Sequence, residues 1–212
     1  MTAGGAVAGR PVVAAILLAA GEARRMRGRD KLLEAIGGRP ALRHAAEAAL
    51  ASRADRVLVV LPPEAAPRRE ALAGAAVEIV VAADCTEGMA ASLRAGLEAV
   101  DPGTDAVVIL LADMPEIGSE AIDRLIAAFD PAAGREILRA TAADGRPGHP
   151  VLFGRRFFGQ LAALKGDRGA RSVIAGAPAG SVRHVPIAGR AALLDLDTPE
   201  DWDAWRAGRG GS

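Results

Sequence analysis

Five basic side chains fall inside eight positions in Arg24-Arg25-Met26-Arg27-Gly28-Arg29-Asp30-Lys31, a short step after the small residues Ala19, Ala20 and Gly21. Small residues let a backbone approach a ligand closely, and its N–H groups can then donate to phosphate oxygens. Arg25 as a fork and Lys31 as a point charge suit the neutralisation of a triphosphate. The same composition also suits a solvated turn with its arginines in water. Lys31 follows Asp30 and precedes Leu32, so G-x-x-x-x-G-K-[ST] is absent, as is G-x-G-x-x-G. Both familiar phosphate loops are thereby excluded.

Carboxylates are the second candidate group. Asp113 follows the most apolar run of the chain, at 106–111, and precedes Met114-Pro115. A side chain there projects into the crevice at a strand end, where one or two carboxylates suffice for a magnesium ion that keeps water and phosphate oxygens as its other ligands. Its alternative role is to cap a turn. Late in the chain, Asp195 and Asp197 share a face if the backbone is extended, while Glu200 and Asp201 suit the first turn of a terminal helix.

Three further strings carry polar groups. Gly88 and Ser92 lie where a strand joins a helix, whose N-terminus is a potential anion-binding edge. Two glycines and two prolines in Gly145-Arg146-Pro147-Gly148-His149-Pro150 predict a rigid turn presenting Arg146 and His149 outward. The corner at 165–171, with Asp167 and Arg171, is similarly basic and glycine-rich. Cys85 is the single cysteine and has no local base, which argues against a nucleophile and excludes an internal disulfide.

These groups need a scaffold. Apolar runs at 12–18, 56–61, 77–81 and 106–111 read as strands, the last one central in the sheet, alternating with helices at 41–51, 64–72 and 88–100. Ser119 suits the N-cap of a helix ending near 129. The rhythm then loosens: a strand near 136–141, an apolar stretch at 150–153, helices near 155–164 and 170–175, a strand near 181–186, and a terminal helix from Pro199 to about 206. This alternation predicts an α/β fold with a mostly parallel central sheet between helices and ligands at the carboxyl ends of its strands. A single domain over 11–207 is expected, with an acceptor-binding portion at about 135–190 and disordered ends at 1–10 and 208–212.

Bulk properties narrow the classes. Lysine plus arginine equals aspartate plus glutamate at 26 each, so no global field draws in nucleic acid or an anionic membrane. No apolar run reaches the roughly 20 residues of a membrane span, and no secretory signal is visible, which fits a cytoplasmic protein.

The string Leu18-Ala19-Ala20-Gly21 through Lys31 resembles the signature L-A-[AG]-G-x-x-x-R-M-G-x-x-K of the nucleotidyltransferases that process molybdenum cofactor, and more loosely that of sugar-phosphate nucleotidylyltransferases. Arg27 departs from it, standing where a glycine is common. Leu110 to Pro115 is similar to the family's metal-binding L-x-x-D-M-P, and 194–201 to D-I-D-T-P-E-D. Residues 87–93 are similar to E-G-M-x-x-S-L, while 147–150 and 166–171 resemble the P-G-H-P and G-D-x-G-A-R motifs of the cytidylyltransferases.

The resemblance runs from near residue 12 to near 202 and implies a three-layer, Rossmann-like nucleotidyltransferase fold. It implies an NTP held by Leu18, Ala19, Ala20, Gly21, Arg25, Lys31, Gly88 and Ser92, with Arg25, Lys31 and Asp113 serving transfer. It also implies Mg2+ on Asp113 and Asp197, with Asp195 in reserve, and an acceptor near Arg146, Gly148, His149, Asp167 and Arg171. Alanine at position 20 points to CTP, where family members with glycine tend to use GTP. The implied reaction moves CMP from CTP to the terminal phosphate of molybdopterin, releasing pyrophosphate, with a molybdoenzyme or its maturation chaperone as recipient. GTP or a sugar phosphate would keep the chemistry and change the ligands; a non-catalytic delivery protein for the cofactor is the remaining alternative.

Overall fold

The computed structural model of the chain describes residues 10–133, 135–166 and 169–209. Its elements are strands β1 (Val13–Leu18), β2 (Ala35–Ile36) and β3 (Arg39–Pro40), helix α1 (Ala41–Leu50), β4 (Arg56–Leu61), α2 (Ala66–Ala71), β5 (Glu78–Val81), α3 (Met89–Glu98) and β6 (Ala106–Leu111). There follow α4 (Ser119–Ala128), β7 (Ile137–Thr141), β8 (Pro147–Gly154), α5 (Phe158–Ala162), α6 (Arg171–Ala175), β9 (Val182–Pro186) and α7 (Pro199–Arg209).

Seven strands form one sheet in the order β5-β4-β1-β6-β8-β7-β9, and β6 is the central one. Every neighbour pair is parallel except β6 with β8 and β8 with β7. β1 and β6 are apolar at successive positions because both faces of the sheet are covered. Val13, Ala15 and Leu17 join Val108 and Leu110 beneath Leu42 and Ala46 of α1 and Ile122 and Leu125 of α4. Ala14, Ile16, Val107 and Ile109 face the other way, against Leu93 of α3 and Leu161 of α5. Close approach of α3 needs Gly96, where a Cβ would stand 2.6 Å from Ile16 Cγ2.

Register decides where the site falls. Leu18 pairs with Val60 on one side and Leu111 on the other, so β1, β4 and β6 end level. The loop after β1 and the turn holding Asp113 therefore leave the sheet together, at the carboxyl edge where such sheets bind ligands.

Several sequence expectations are corrected. Gly118, not Ser119, caps α4, and no side chain makes the capping bond. Arg10 hydrogen-bonds Arg53 O and Asp55, and Gly208 and Arg209 continue α7, so neither is the loose end expected at 1–10 and 208–212. Residues 1–9 and 210–212 lie outside the described residues. The small hairpin of β2 and β3, joined by Gly37-Gly38, was readable as a glycine pair between short extended segments.

The largest difference is in the rigid turn expected over 145–150: from Pro147 onward it is observed as the start of β8, a strand inside the sheet that runs on through the apolar stretch expected at 150–153. Proline fits because neither ladder needs its N–H. Pro150 lies one residue beyond the last β6 partner, Val151, and the β7 pairing shifts register between Arg139 and Thr141. Gly148 fits because a Cβ there would come within 1.7 Å of Ala192 O.

Candidate active site

The loop after β1 is held from behind by a residue that no motif announced. Arg68 of α2 is 8% exposed and donates to Ala19 O at 2.6 Å and Gly21 O at 3.1 Å, while its Nε and Nη2 engage Asp30 at 2.7 and 3.1 Å. Asp30 in turn accepts from Leu32 N, capping the short helical turn that starts at Lys31. One guanidinium thus closes the loop by tying its start to its end. Its sequence setting, Ala66-Pro67-Arg68-Arg69-Glu70, reads as a surface helix, and only the distant carbonyls reveal the role.

Lys31 occupies the centre of the crevice. Its ammonium lies 2.5 Å from Asp113 Oδ2 and 2.6 Å from Asp197 Oδ1, and Arg25 lies 2.5 Å from the other oxygen of Asp197. The three side chains Lys31, Asp113 and Asp197 are only 14 to 18% exposed. Burial opposes the lysine charge, but the carboxylates of Asp113 and Asp197 outweigh it and hold the ammonium above its ordinary pKa. Leu196 N donates to Asp113 O, which fixes the late acidic segment beside the strand end.

α7 completes this arrangement. Thr198 and Asp201 exchange bonds, Asp201 Oδ2 accepting from the Thr198 N–H and hydroxyl while Asp201 N donates to Thr198 Oγ1. This is a capping box with Pro199 at the first helical position. Asp201 is thus occupied in capping, as expected of it, and Glu200 pairs with Arg27 at 2.6 Å.

Arg27 itself adopts φ 53°, the left-handed region that favours glycine. Arg27→Gly should relieve about 1–2 kcal/mol of strain, offset by about 0.5–1 kcal/mol of glycine chain entropy and by loss of an exposed ion pair worth about 0–1 kcal/mol. Urea unfolding is expected to show a net change under about 1 kcal/mol. A loss well above that would mean that Arg27 carries a contact beyond this pair.

Two adjoining cavities open at the carboxyl edge. One, of about 500 Å³, is lined by Leu18, Ala19, Ala20, Gly21, Arg25, Lys31, Gly88, Ser92 and Asp113, so the structure brings all the expected nucleotide-side residues together. Glu22, Cys85, Thr86 and Met89 join them and were not anticipated. The other, of about 790 Å³, shares Leu18, Met89 and Leu111 with the first and contains Gly148, His149, Arg171 and Asp195. Arg146 is not in its wall: it is exposed on the β7–β8 turn and paired with Asp144 at 2.8 Å. Arg139 of β7 is there instead. A charge between buried Leu138 and Ala140 was a readable signal for it. Asp167 lies outside the described residues.

His149 lines this second cavity rather than facing outward, and its Nδ1 is buried without a partner among the described residues. Burial, followed by the positive charge of Arg139, lowers its pKa from the ordinary 6.5 to about 4. The folded state thus prefers the neutral ring, so this contribution to stability is fully present above pH 6.5. It is lost as the pH falls towards about 4, where the unfolded chain alone has taken up the proton. The gap corresponds to about 3 kcal/mol. The stability difference between the wild type and His149→Gln should change by about this amount across that interval in denaturant titrations; a constant difference would contradict the buried neutral ring.

The donor set fits a divalent cation delivered with phosphates. Asp113 Oδ1 is buried with no hydrogen-bond donor, and a cationic ammonium already bridges Asp113 and Asp197. Among the described residues there is no cluster of three or more metal-ligating side chains able to form a complete site. Two carboxylates leave the other positions to water and substrate oxygens, as magnesium and manganese sites on phosphates commonly do.

The description "MobA-like NTP transferase domain" matches residues 15–185, and the chain belongs to this family. It is similar to the purine catabolism protein PucB of Bacillus subtilis, 30% identical over 204 residues that span 92% of this chain and 97% of that protein. The crystal structure of Rv0371c from Mycobacterium tuberculosis superposes with a TM-score of 0.79 at 31% identity, covering 92% of this chain and 98% of that one. A manganese complex of Rv0371c aligns with a TM-score of 0.75 at 30% identity, covering 91% and 97%. Among the described residues, no helix is long and apolar enough to cross a membrane.

Proposed function

We propose that the protein transfers CMP from CTP to the terminal phosphate of a molybdopterin-type acceptor and releases pyrophosphate. The observation that carries this reading is the pair of adjoining cavities, one with a basic loop and backbone suited to a triphosphate, the other larger and more apolar, with Asp113 in the wall of the first. An acceptor phosphate oxygen attacks the α-phosphorus, the bond to the bridging oxygen of the β-phosphate breaks, and pyrophosphate departs with that electron pair.

In this reading Arg25 and Lys31 turn from Asp197 and Asp113 to the phosphates, lowering the repulsion between two polyanions. Asp113 and Asp197, released by the lysine, would hold a divalent cation, which when bound polarises phosphoryl oxygens and offsets charge on the leaving group. The loop tied by Arg68 presents the backbone of Ala19 to Gly21 in one conformation, so positioning precedes chemistry. An acceptor phosphate is already ionised near neutral pH, and His149 is needed as no base. Ala20 is 5% exposed in the nucleotide cavity, and its methyl group takes space that a glycine would leave for a larger base. The manganese complex of Rv0371c supports a divalent ion on this scaffold.

Pyrophosphate release from purified molybdopterin with magnesium, compared across CTP, GTP and ATP, tests this. Release with CTP alone is expected. Release with GTP would keep the reaction and change the nucleotide; turnover only with a sugar phosphate would change the acceptor. Cofactor binding without turnover on any nucleotide would make this a delivery protein.

A further inference from the structure

The acceptor-side cavity holds two arginines, and no carboxylate among the described residues pairs with either. Arg139 stands on β7, two strands from β6, and at about 4.8 Å per step its backbone is about 10 Å to the side of the strand leading to Asp113. Its guanidinium donates only to the carbonyls of Pro147 and Gly148, both at 3.3 Å, and pairs with no carboxylate among the described residues. Arg171 lines the same cavity and likewise has no acidic partner among them.

The acids nearby pair with neither arginine. Asp113 and Asp197 are held by Lys31 and Arg25. Asp195 is in the cavity wall and pairs with neither arginine; burial leads the rise of its pKa, its own backbone N–H opposes that rise, the charges of Asp197 and Asp113 add to it, and Lys31 also opposes it. Burial and then Arg171 pull Arg139 below its ordinary pKa, and Arg139 is the leading charge that depresses His149. Burial leads both shifts, and the charge of the neighbouring arginine adds to each. A half-buried cation with spare donors is costly alone, and a bound anion removes that cost.

We infer that Arg139, assisted by Arg171, binds a second anionic group of the acceptor, on the wall away from the transfer point. This rests on the proposed function and narrows the acceptor class. Its acceptor has the attacking phosphate at one end, a middle that lies on Leu93, Ile109 and Val151, and a further negative group held at the Arg139 guanidinium over β8.

Inorganic phosphate serves as the probe. Arginine side-chain N–H signals of the full chain are followed by NMR with the nucleotide cavity filled by CTP, or by GTP if CTP does not bind, and assigned with Arg139→Lys and Arg171→Lys. Phosphate is expected to shift the Arg139 signal saturably, and Arg171→Met to weaken that binding about tenfold, the scale of a lost charge-assisted hydrogen bond. An Arg139 signal that does not move, or moves only when the nucleotide cavity is empty, overturns the inference.

In turnover, Arg139→Met should raise the acceptor KM about tenfold and leave kcat and the CTP KM within about twofold, with partial recovery in Arg139→Lys. A fall in kcat at constant acceptor KM would contradict it. If the wild type does not turn over molybdopterin, the proposed function fails, and the phosphate titration still decides whether the anion subsite exists.

Discussion

Asp113→Asn is expected to reduce nucleotidyl transfer by about a thousandfold or more, the scale of losing one preorganised electrostatic element at a phosphoryl centre. Asparagine keeps the volume and removes the charge, so the effect separates chemistry from packing. The fold should survive, because Lys31 retains Asp197 at 2.6 Å and the segment at 194–197 stays tied through Leu196 N to the backbone carbonyl at 113. Loss of one of two partners in a partly buried ion network should cost no more than about 1–3 kcal/mol. Pyrophosphate release and circular dichroism measured on one preparation decide the matter. Native dichroism with transfer near the wild-type rate would place the reacting centre elsewhere, whereas an unfolded variant would show that the Lys31 bridge is structural first.

The legible parts of this molecule were those with a local cause. A strand covered on both faces must be apolar at successive positions, and β1 and β6 announce themselves that way. Their carboxyl ends then place the loop at 19–31 and Asp113 in one crevice, as their level register confirms. The turn expected over 145–150, whose residues from Pro147 onward begin β8, misled for an equally physical reason. Proline and glycine report backbone preferences, and in isolation those favour a turn, but they do not report whether a neighbouring ladder lacks a hydrogen bond at that position. Arg146 looked exposed and functional because it sat beside the glycines, while Arg139 looked like part of a strand, and the cavity contains the second. Arg68 gave no signal at all, since three of its five bonds go to the carbonyls of Ala19 and Gly21, which carry no sequence information, and two to the Asp30 carboxylate, all 38 to 49 residues away.

Trp202 links α7 to the two segments that carry Arg25 and Asp197, and Trp202→Ala should show it. The side chain is 0% exposed and packs with Met26, Ala41, Leu194 and Leu196, the first beside Arg25 and the last beside Asp197. Trp205 meets it edge-on at 5.8 Å, and the Arg206 guanidinium lies 5.2 Å from its ring centroid. Truncation is expected to cost about 3–5 kcal/mol, a large share of the roughly 5–15 kcal/mol that stabilises a domain. Its Nε1 is buried without an acceptor among the described residues, so Trp202→Phe sacrifices no hydrogen bond there. That variant should lose less than about 2 kcal/mol. Urea titrations of the three proteins, with nucleotide affinity measured alongside, separate two roles. If the alanine variant weakens nucleotide binding under conditions where it remains folded, the cluster sets the Arg25–Asp197 geometry as well as holding α7 in place. An unchanged urea midpoint would remove Trp202 as the anchor, and unchanged affinity in a destabilised variant would confine it to packing.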